Sequence, residues 1–146
     1  MNDKVMNSST IGFIGLGLIG GSIAKALKPK YKDLTIIAYQ HTKGTNPDNE
    51  LGVREKIIDK VTSSLDDFSS CDIIFLCAPV IQNIEYLPLL KKVIKADCII
   101  TDVGSVKADI HKAIKEYNLE SNFIGGHPMA GSEKSGFINA NPKLFE

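Results

Sequence analysis

The run Thr10-Ile11-Gly12-Phe13-Ile14, followed at once by Gly15-Leu16-Gly17-Leu18-Ile19-Gly20-Gly21-Ser22, constrains this chain more than any other stretch of it. A short β-rich run ends in a GxGxxG, and a helical pattern begins inside the glycines. Glycines alone mark ordinary turns, but a strand before and a helix after narrow the reading. In that setting the first glycine, Gly15, makes the tight turn. The second, Gly17, lets the backbone approach a pyrophosphate, and the third, Gly20, lets the helix pack closely on the strand. The helix N-terminus presents free N–H groups and the positive end of its dipole to the phosphates. Gly15, Leu16, Gly17, Leu18, Ile19 and Gly20 are therefore the first candidate cofactor-binding residues, and a dinucleotide is the expected ligand.

Short β-rich runs alternate with helical patterns along the rest of the chain. This predicts βαβ units, a doubly wound and mostly parallel sheet of the Rossmann type, and helices on both faces. Candidate strands are Thr10 to Ile14, Leu34 to Tyr39, Lys60 to Thr62, Asp72 to Ala78, Cys98 to Asp102 and Asn122 to Gly125. Candidate helices begin near Leu18, Pro47, Pro79 and Val106. The first, Leu18 to Lys28, places Ile19, Ile23, Ala26 and Leu27 on one stripe, the pattern of a helix covering a sheet. The third, Pro79 to Lys95, contains Pro88, which predicts a kink or a break into two pieces. Thr42 to Asn49 is polar and turn-rich, the expected flexible loop. At 146 residues the chain fits a single domain, residues 1–146, with a core of ordinary size.

A dinucleotide site of this kind normally carries an acidic residue about twenty positions on, closing the second strand and bonding the adenosine ribose. Here Gln40 or His41 stands in its place, with Lys43 nearby. No carboxylate repels a 2′-phosphate, and Gln40 can still bond a ribose hydroxyl, so NAD and NADP both stay open. Gln40 and Lys43 join the candidate cofactor-binding residues. Lys43 also reads as a solvated loop lysine.

The remaining composition excludes more than it selects. The formal net charge is zero, so no chain-wide field recruits nucleic acid or an anionic membrane. No apolar run approaches the roughly twenty residues of a membrane span. Three dispersed cysteines, Cys71, Cys77 and Cys98, have no metal-ligand spacing and read as reduced thiols of a cytoplasmic protein, with no metal expected.

Two further motifs carry chemistry. Thr101-Asp102-Val103-Gly104-Ser105-Val106-Lys107 leads from an apolar strand into a helix, with Ser105 placed to cap that helix. Lys107 and Asp102 read as catalytic or structural, Asp102 more as structural. Gly125-Gly126-His127-Pro128-Met129-Ala130-Gly131-Ser132-Glu133-Lys134-Ser135-Gly136 frames one imidazole with turn-forming residues just past a short apolar strand. Such a histidine either caps a backbone group or acts chemically, and loops at strand ends favour the second. In an open parallel sheet the ligand crevice lies at the C-terminal ends of the strands. Gly15, Ala78, Ser105 and His127 all fall there, and Ala78 with Pro79 completes the cofactor side of the expected site.

In this order, Gly-Leu-Gly-Leu-Ile-Gly-Gly-Ser, Asp-Val-Gly-Ser-Val-Lys and Gly-Gly-His-Pro-Met-Ala-Gly-Ser-Glu-Lys-Ser-Gly resemble the N-terminal domain of prephenate and arogenate dehydrogenases. The resemblance spans nearly the whole chain. It implies oxidative decarboxylation of prephenate to 4-hydroxyphenylpyruvate, in tyrosine biosynthesis, with hydride transfer to NAD or NADP. His127 matches the family's catalytic histidine, and Ser105 matches its serine near the same substrate hydroxyl and the nicotinamide. Ser132 and Glu133 match substrate-binding positions at the entrance. The resemblance further implies a homodimer built by a helical C-terminal domain that also brings an arginine to the substrate's carboxylates. This chain stops at Glu146, about where that domain is expected to begin, and Arg54 is its single arginine. An NAD(P)-binding module without turnover is therefore the alternative expectation, and arogenate is the alternative substrate.

Overall fold

The computed structural model describes residues 8–41 and 44–146. Lys43 and the polar start of the chain lie outside the described residues. Six strands form one sheet: β1 (Thr10–Ile14), β2 (Thr35–Tyr39), β3 (Lys60–Thr62), β4 (Ile73–Leu76), β5 (Ile99–Asp102) and β6 (Phe123–Ile124). They run in the order β3-β2-β1-β4-β5-β6, and every pairing is parallel. The register sets Ile11 beside both Ile36 and Ile73, and Ile73 beside Ile99. Central strands buried on both faces read as continuous apolar runs, which is why β1, β2 and β4 lack a polar alternation. The chain order reverses between β1 and β4, and the crevice of such a sheet opens there.

Helices cover both faces as expected. Helix α1 (Leu18–Leu27) and α2 (Pro47–Arg54) share one core with Ile11, Phe13, Ile36 and Phe137. Helix α3 (Val80–Val93) and α4 (Ala108–Glu116) lie over the other, with Ile74, Leu87, Leu90, Ile100 and Ile110. Short 3₁₀ turns at Leu65–Ser70 and Phe137–Asn139 complete the two layers.

The structure corrects several expected boundaries. Of the expected stripe of α1, Ile23 and Leu27 pack, partly buried, against the core, whereas the fully buried positions are Gly20, Gly21, Ser22 and Ala24. The helix lies so close to its neighbours that only small residues fit between. Helix α3 runs unbroken through Pro88. The fully buried Leu87 and Leu90 on either side of it supply packing comparable to the roughly 3 kcal/mol a proline costs inside a helix. Strands β4 and β6 are shorter than Asp72 to Ala78 and Asn122 to Gly125; at their starts Asp72 accepts from the Thr10 N–H at 2.7 Å, and Asn122 donates to the carbonyls of Ala96 and Cys98. The expected flexible loop does not extend to Asn49: α2 already begins at Pro47, where Asn46 caps it by accepting from the N–H groups of Asp48 and Asn49, and Thr42 lies outside the described residues. Among the described residues, no helix is long and apolar enough to cross a membrane.

Candidate active site at the strand ends

The glycine turn is built by close approach. Gly15 has φ of +91°, and a Cβ there would stand 2.6 Å from the backbone nitrogen of Ala78. A Cβ on Gly20 would stand 2.4 Å from the Gly15 carbonyl oxygen. Both are distances that no side chain tolerates, so β1, β4 and α1 meet here with backbone against backbone. Gly17 differs: nothing lies within 4 Å of where its Cβ would be. Its missing side chain leaves open space in front of the α1 N-terminus. The first intrahelical bond runs from Gly21 N–H to Gly17 C=O at 2.9 Å, no side chain caps the helix, and no acidic residue occupies its first turn. The N–H groups before Gly21 are thus left for an external acceptor, which fits a bound phosphate.

Beneath the turn, Asn83 of α3 is 1% exposed and donates to the carbonyl of Ala78 at 2.7 Å and, more weakly, to that of Leu76 at 3.4 Å. It fixes the backbone just past β4, beside Pro79, which is the residue preceding α3. Its Oδ1 has no hydrogen-bond partner among the described residues. Nothing in the sequence singled it out, because an asparagine one turn into a helix has no distinctive spacing. Cys77, in the same cradle, is also near Asp102; burial, then the Asp102 charge, pushes its thiol up to about 12.

At the end of β2, Gln40 donates to the Gly44 carbonyl and accepts from Asn49 at 3.4 Å. It lines a cavity of about 340 Å³ with Asn46, Asn49, Glu50 and Arg54. His41 contacts Tyr86 through Nδ1 and the phenol oxygen at 2.9 Å, which ties the strand end to α3.

Ser105 does not cap a helix. Helix α4 starts at Ala108 with Lys107 as its preceding residue, and no side-chain cap bond is made. The reason lies in the turn itself, where the Asp102 carboxylate takes the Gly104 N–H at 3.1 Å and the Lys107 ammonium at 2.5 Å, carrying the chain past Ser105 before the helix begins. Ser105 is left exposed at the rim. His127 is exposed three residues beyond β6, and its ring makes no hydrogen bond among the described residues. Ser132 accepts from the Lys134 N–H at 3.0 Å, and Glu133 is exposed on the same loop. The parallel register brings the ends of β1, β4, β5 and β6 to one side, so Gly15, Ala78, Ser105 and His127 occupy one rim of the sheet. Contact is direct at two places: Gly15 against Ala78, and Gly126 against Asp102, where a Cβ on Gly126 would come within 2.5 Å of the Asp102 carbonyl oxygen. Ser132 and Glu133 share the loop, where Ser132 bonds within it to the Lys134 N–H.

The loop then returns to the opposite layer. Phe137 is fully buried against α1 and α2, its N–H donates to Asp48 at 2.8 Å, and the Lys25 ammonium lies 4.3 Å from its ring centroid. Asn141 N–H donates to the Ser22 hydroxyl at 2.9 Å. No sequence signal marked Phe137 as an anchor, since a lone aromatic after a glycine loop has no periodicity to read.

A doubly wound parallel sheet, with an uncapped glycine turn at its switch point, defines a nucleotide-binding domain of the Rossmann type. The chain belongs to the prephenate dehydrogenase family: the family described as "Prephenate dehydrogenase, nucleotide-binding domain" matches residues 23–146. It is 37% identical over 139 residues to a prephenate dehydrogenase of Lactococcus lactis, covering 91% of this chain and 37% of that protein. Among solved structures it resembles the prephenate dehydrogenase of A. aeolicus in complex with hydroxyphenyl propionate and NAD+, with a TM-score of 0.82 and 34% identity over 94% of this chain and 48% of that one. It also resembles an arogenate dehydrogenase of Synechocystis, with a TM-score of 0.79 and 33% identity over 92% of this chain and 46% of that one. The chain thus spans less than half the length of each of these relatives.

Proposed function

We propose that this chain is the cofactor-binding and catalytic-histidine half of an NAD(P)-dependent prephenate dehydrogenase. The observation that carries this reading is the placement of the uncapped glycine turn and of His127 on one rim of the sheet. Gly15, Leu16, Gly17, Leu18, Ile19 and Gly20 hold the pyrophosphate on backbone N–H groups, Ala78 and Pro79 line the nicotinamide side, and Gln40 with Lys43 meets the adenosine ribose. A bound nicotinamide supplies a hydride acceptor. The chain's own part is to handle the substrate hydroxyl: as its carbon becomes carbonyl-like, an imidazole nitrogen of His127 takes its hydrogen bond and its proton, and Ser105 orients the same group. Loss of the ring carboxylate as carbon dioxide then leaves its electron pair to aromatise the ring, and the oxygen takes its proton back from the His127 imidazolium to give the phenol product. Ser132 and Glu133 bind substrate at the entrance.

One observation favours a second reading, a binding module without turnover. Prephenate carries two carboxylates, and the single guanidinium, Arg54, ends α2 beside β2 and β3, whereas His127 follows β6 at the other edge of the sheet. The purified chain tests both. Reduction of NAD+ or NADP+ with prephenate, followed at 340 nm, supports the dehydrogenase, and His127→Asn then lowers turnover by roughly a hundredfold with cofactor affinity nearly intact. Cofactor binding without any rate supports the module, and a faster rate with arogenate reassigns the substrate. A homodimer is the proposed state of the active enzyme, checked by sedimentation.

A further inference from the structure

The His127 ring has no hydrogen bond of its own among the described residues, so its place is set by the backbone that carries it. That backbone is held at one point. Gly126, the residue before His127, donates its N–H to Asp102 Oδ1 at 3.2 Å and accepts from the Lys107 ammonium at its carbonyl. The same Asp102 carboxylate takes the N–H of Gly104, the residue before Ser105, and pairs with Lys107 at 2.5 Å. Asp102 is 1% exposed, and its two oxygens accept from three different donors. Both loops approach the pair so closely that a side chain would crowd it: a Cβ on Gly104 would lie 3.2 Å from Asp102 Oδ2 and one on Gly126 2.5 Å from the Asp102 carbonyl oxygen. Beyond the pair the loop is largely exposed, with Pro128 and Ala130 half-buried, and Met129 within it adopts φ of +49°.

We propose that Asp102 and Lys107 form a positioning pair that sets the separation of Ser105 from His127, through Gly104 on one side and Gly126 on the other. Neither side chain touches substrate in this role. The pair acts through the backbone, and its consequence for turnover rests on the roles proposed above for Ser105 and His127. An error of about an ångström between groups sharing one hydroxyl is enough to cost around a hundredfold in rate. Lys107 alone reaches both the carboxylate and the Gly126 carbonyl, so it couples the two loops as well as neutralising the buried charge.

The test uses the full chain with three variants. Lys107→Met removes the tie but strands a buried carboxylate, which risks the fold. Asp102→Ala/Lys107→Met removes the tie together with that charge, and Lys107→Arg keeps a cation able to donate to both acceptors. In each folded variant, judged by unchanged NMR signals from Gly15 to Gly20, the amide signals of Gly104, Gly126 and His127 are recorded together with turnover. The expected result for the double variant is displaced Gly104 and Gly126 amides, loss of order at His127, and a kcat lowered about ten- to a hundredfold with KM for the cofactor within about twofold. Lys107→Arg is expected to recover most of that loss. A double variant that keeps the His127 and Gly126 signals, or turns over within about twofold of the parent, overturns the proposal. Should the parent chain show no turnover, the binding-module reading holds for the chain by itself, and the NMR signals alone then decide whether the pair positions the loop.

Discussion

The glycine turn and the histidine loop are both rich in glycine, yet they are held by different forces. In the turn, Gly15 and Gly20 are pressed against backbone so closely that any side chain collides, and the geometry follows from shape. In the loop, Gly131 has nothing within 4 Å of a Cβ, and the segment is fixed only at its ends, by the Asp102–Lys107 pair at Gly126 and by Phe137 in the opposite layer. Shape makes a rigid phosphate cradle. Charge and a single buried ring hold a span that stays open between its anchors, as suits a segment that must meet a substrate.

Phe137 is the strongest test of that contrast. Its ring is fully buried beside Gly21, where a Cβ would come within 2.6 Å of it, so Phe137→Ala leaves a void that α1 and α2 cannot readily close. The expected loss is about 3–5 kcal/mol in urea unfolding, with the loop released as far back as Gly136. A loss below about 1 kcal/mol would mean that the loop is held from the Asp102 side alone.

The glycines themselves sharpen the comparison. Gly20→Ala forces a methyl against the Gly15 carbonyl and is expected to cost about 3 kcal/mol, a fall in Tm of roughly 6–12 °C. Gly131→Ala meets open space and is expected to stay within about 0.5 kcal/mol of the parent. Gly17→Val combines the two cases: it leaves the fold near its parent stability while its side chain fills the space before the α1 N-terminus, so cofactor binding is lost with no change in Tm. Normal cofactor affinity in Gly17→Val, by fluorescence titration, would remove the turn from the binding site.

The same difference explains what the sequence made legible. Shape-determined structure leaves a local trace: the glycine spacing after Ile14, the apolar runs of β1, β2 and β4, and the alternation of strands and helices read directly into the fold. Contacts between distant residues leave none. Asp48 reaching Phe137 and Ser22 reaching Asn141 join positions far apart in the chain, and each looks like an ordinary polar residue in its own segment. Ser105 misled for a related reason. A serine before a helical pattern is a good cap by local rules, but Asp102 had already claimed the turn. Of the kink or break expected at Pro88, the break does not occur, because burial of Leu87 and Leu90 overrides a local propensity.

A hold built on charge is open to titration where one built on shape is not, and Asp72 offers the mildest measure of this. It stands at the other end of the sheet from Asp102 and repeats its pattern, accepting the Thr10 N–H and pairing with Lys95, but on a side chain more than a third exposed. Burial alone would raise its carboxyl, but the Lys95 and Thr10 hydrogen bonds outweigh that and hold it below the usual carboxylate range. A depressed folded value means that the stabilisation is complete above the unfolded value of about 3.9 and is lost as pH falls through the lower folded value. Solvent screening at this exposure keeps the contribution to about 0.5 kcal/mol. Asp72→Asn should therefore unfold in urea slightly more easily than the parent at pH 6 and equally easily once the parent carboxyl is protonated, whereas the stability difference between Gly20→Ala and the parent should be the same at both pH values. If the Asp72→Asn difference persists undiminished in acid, the pair contributes through shape rather than charge, and the contrast between the two kinds of anchor does not extend to this end of the sheet.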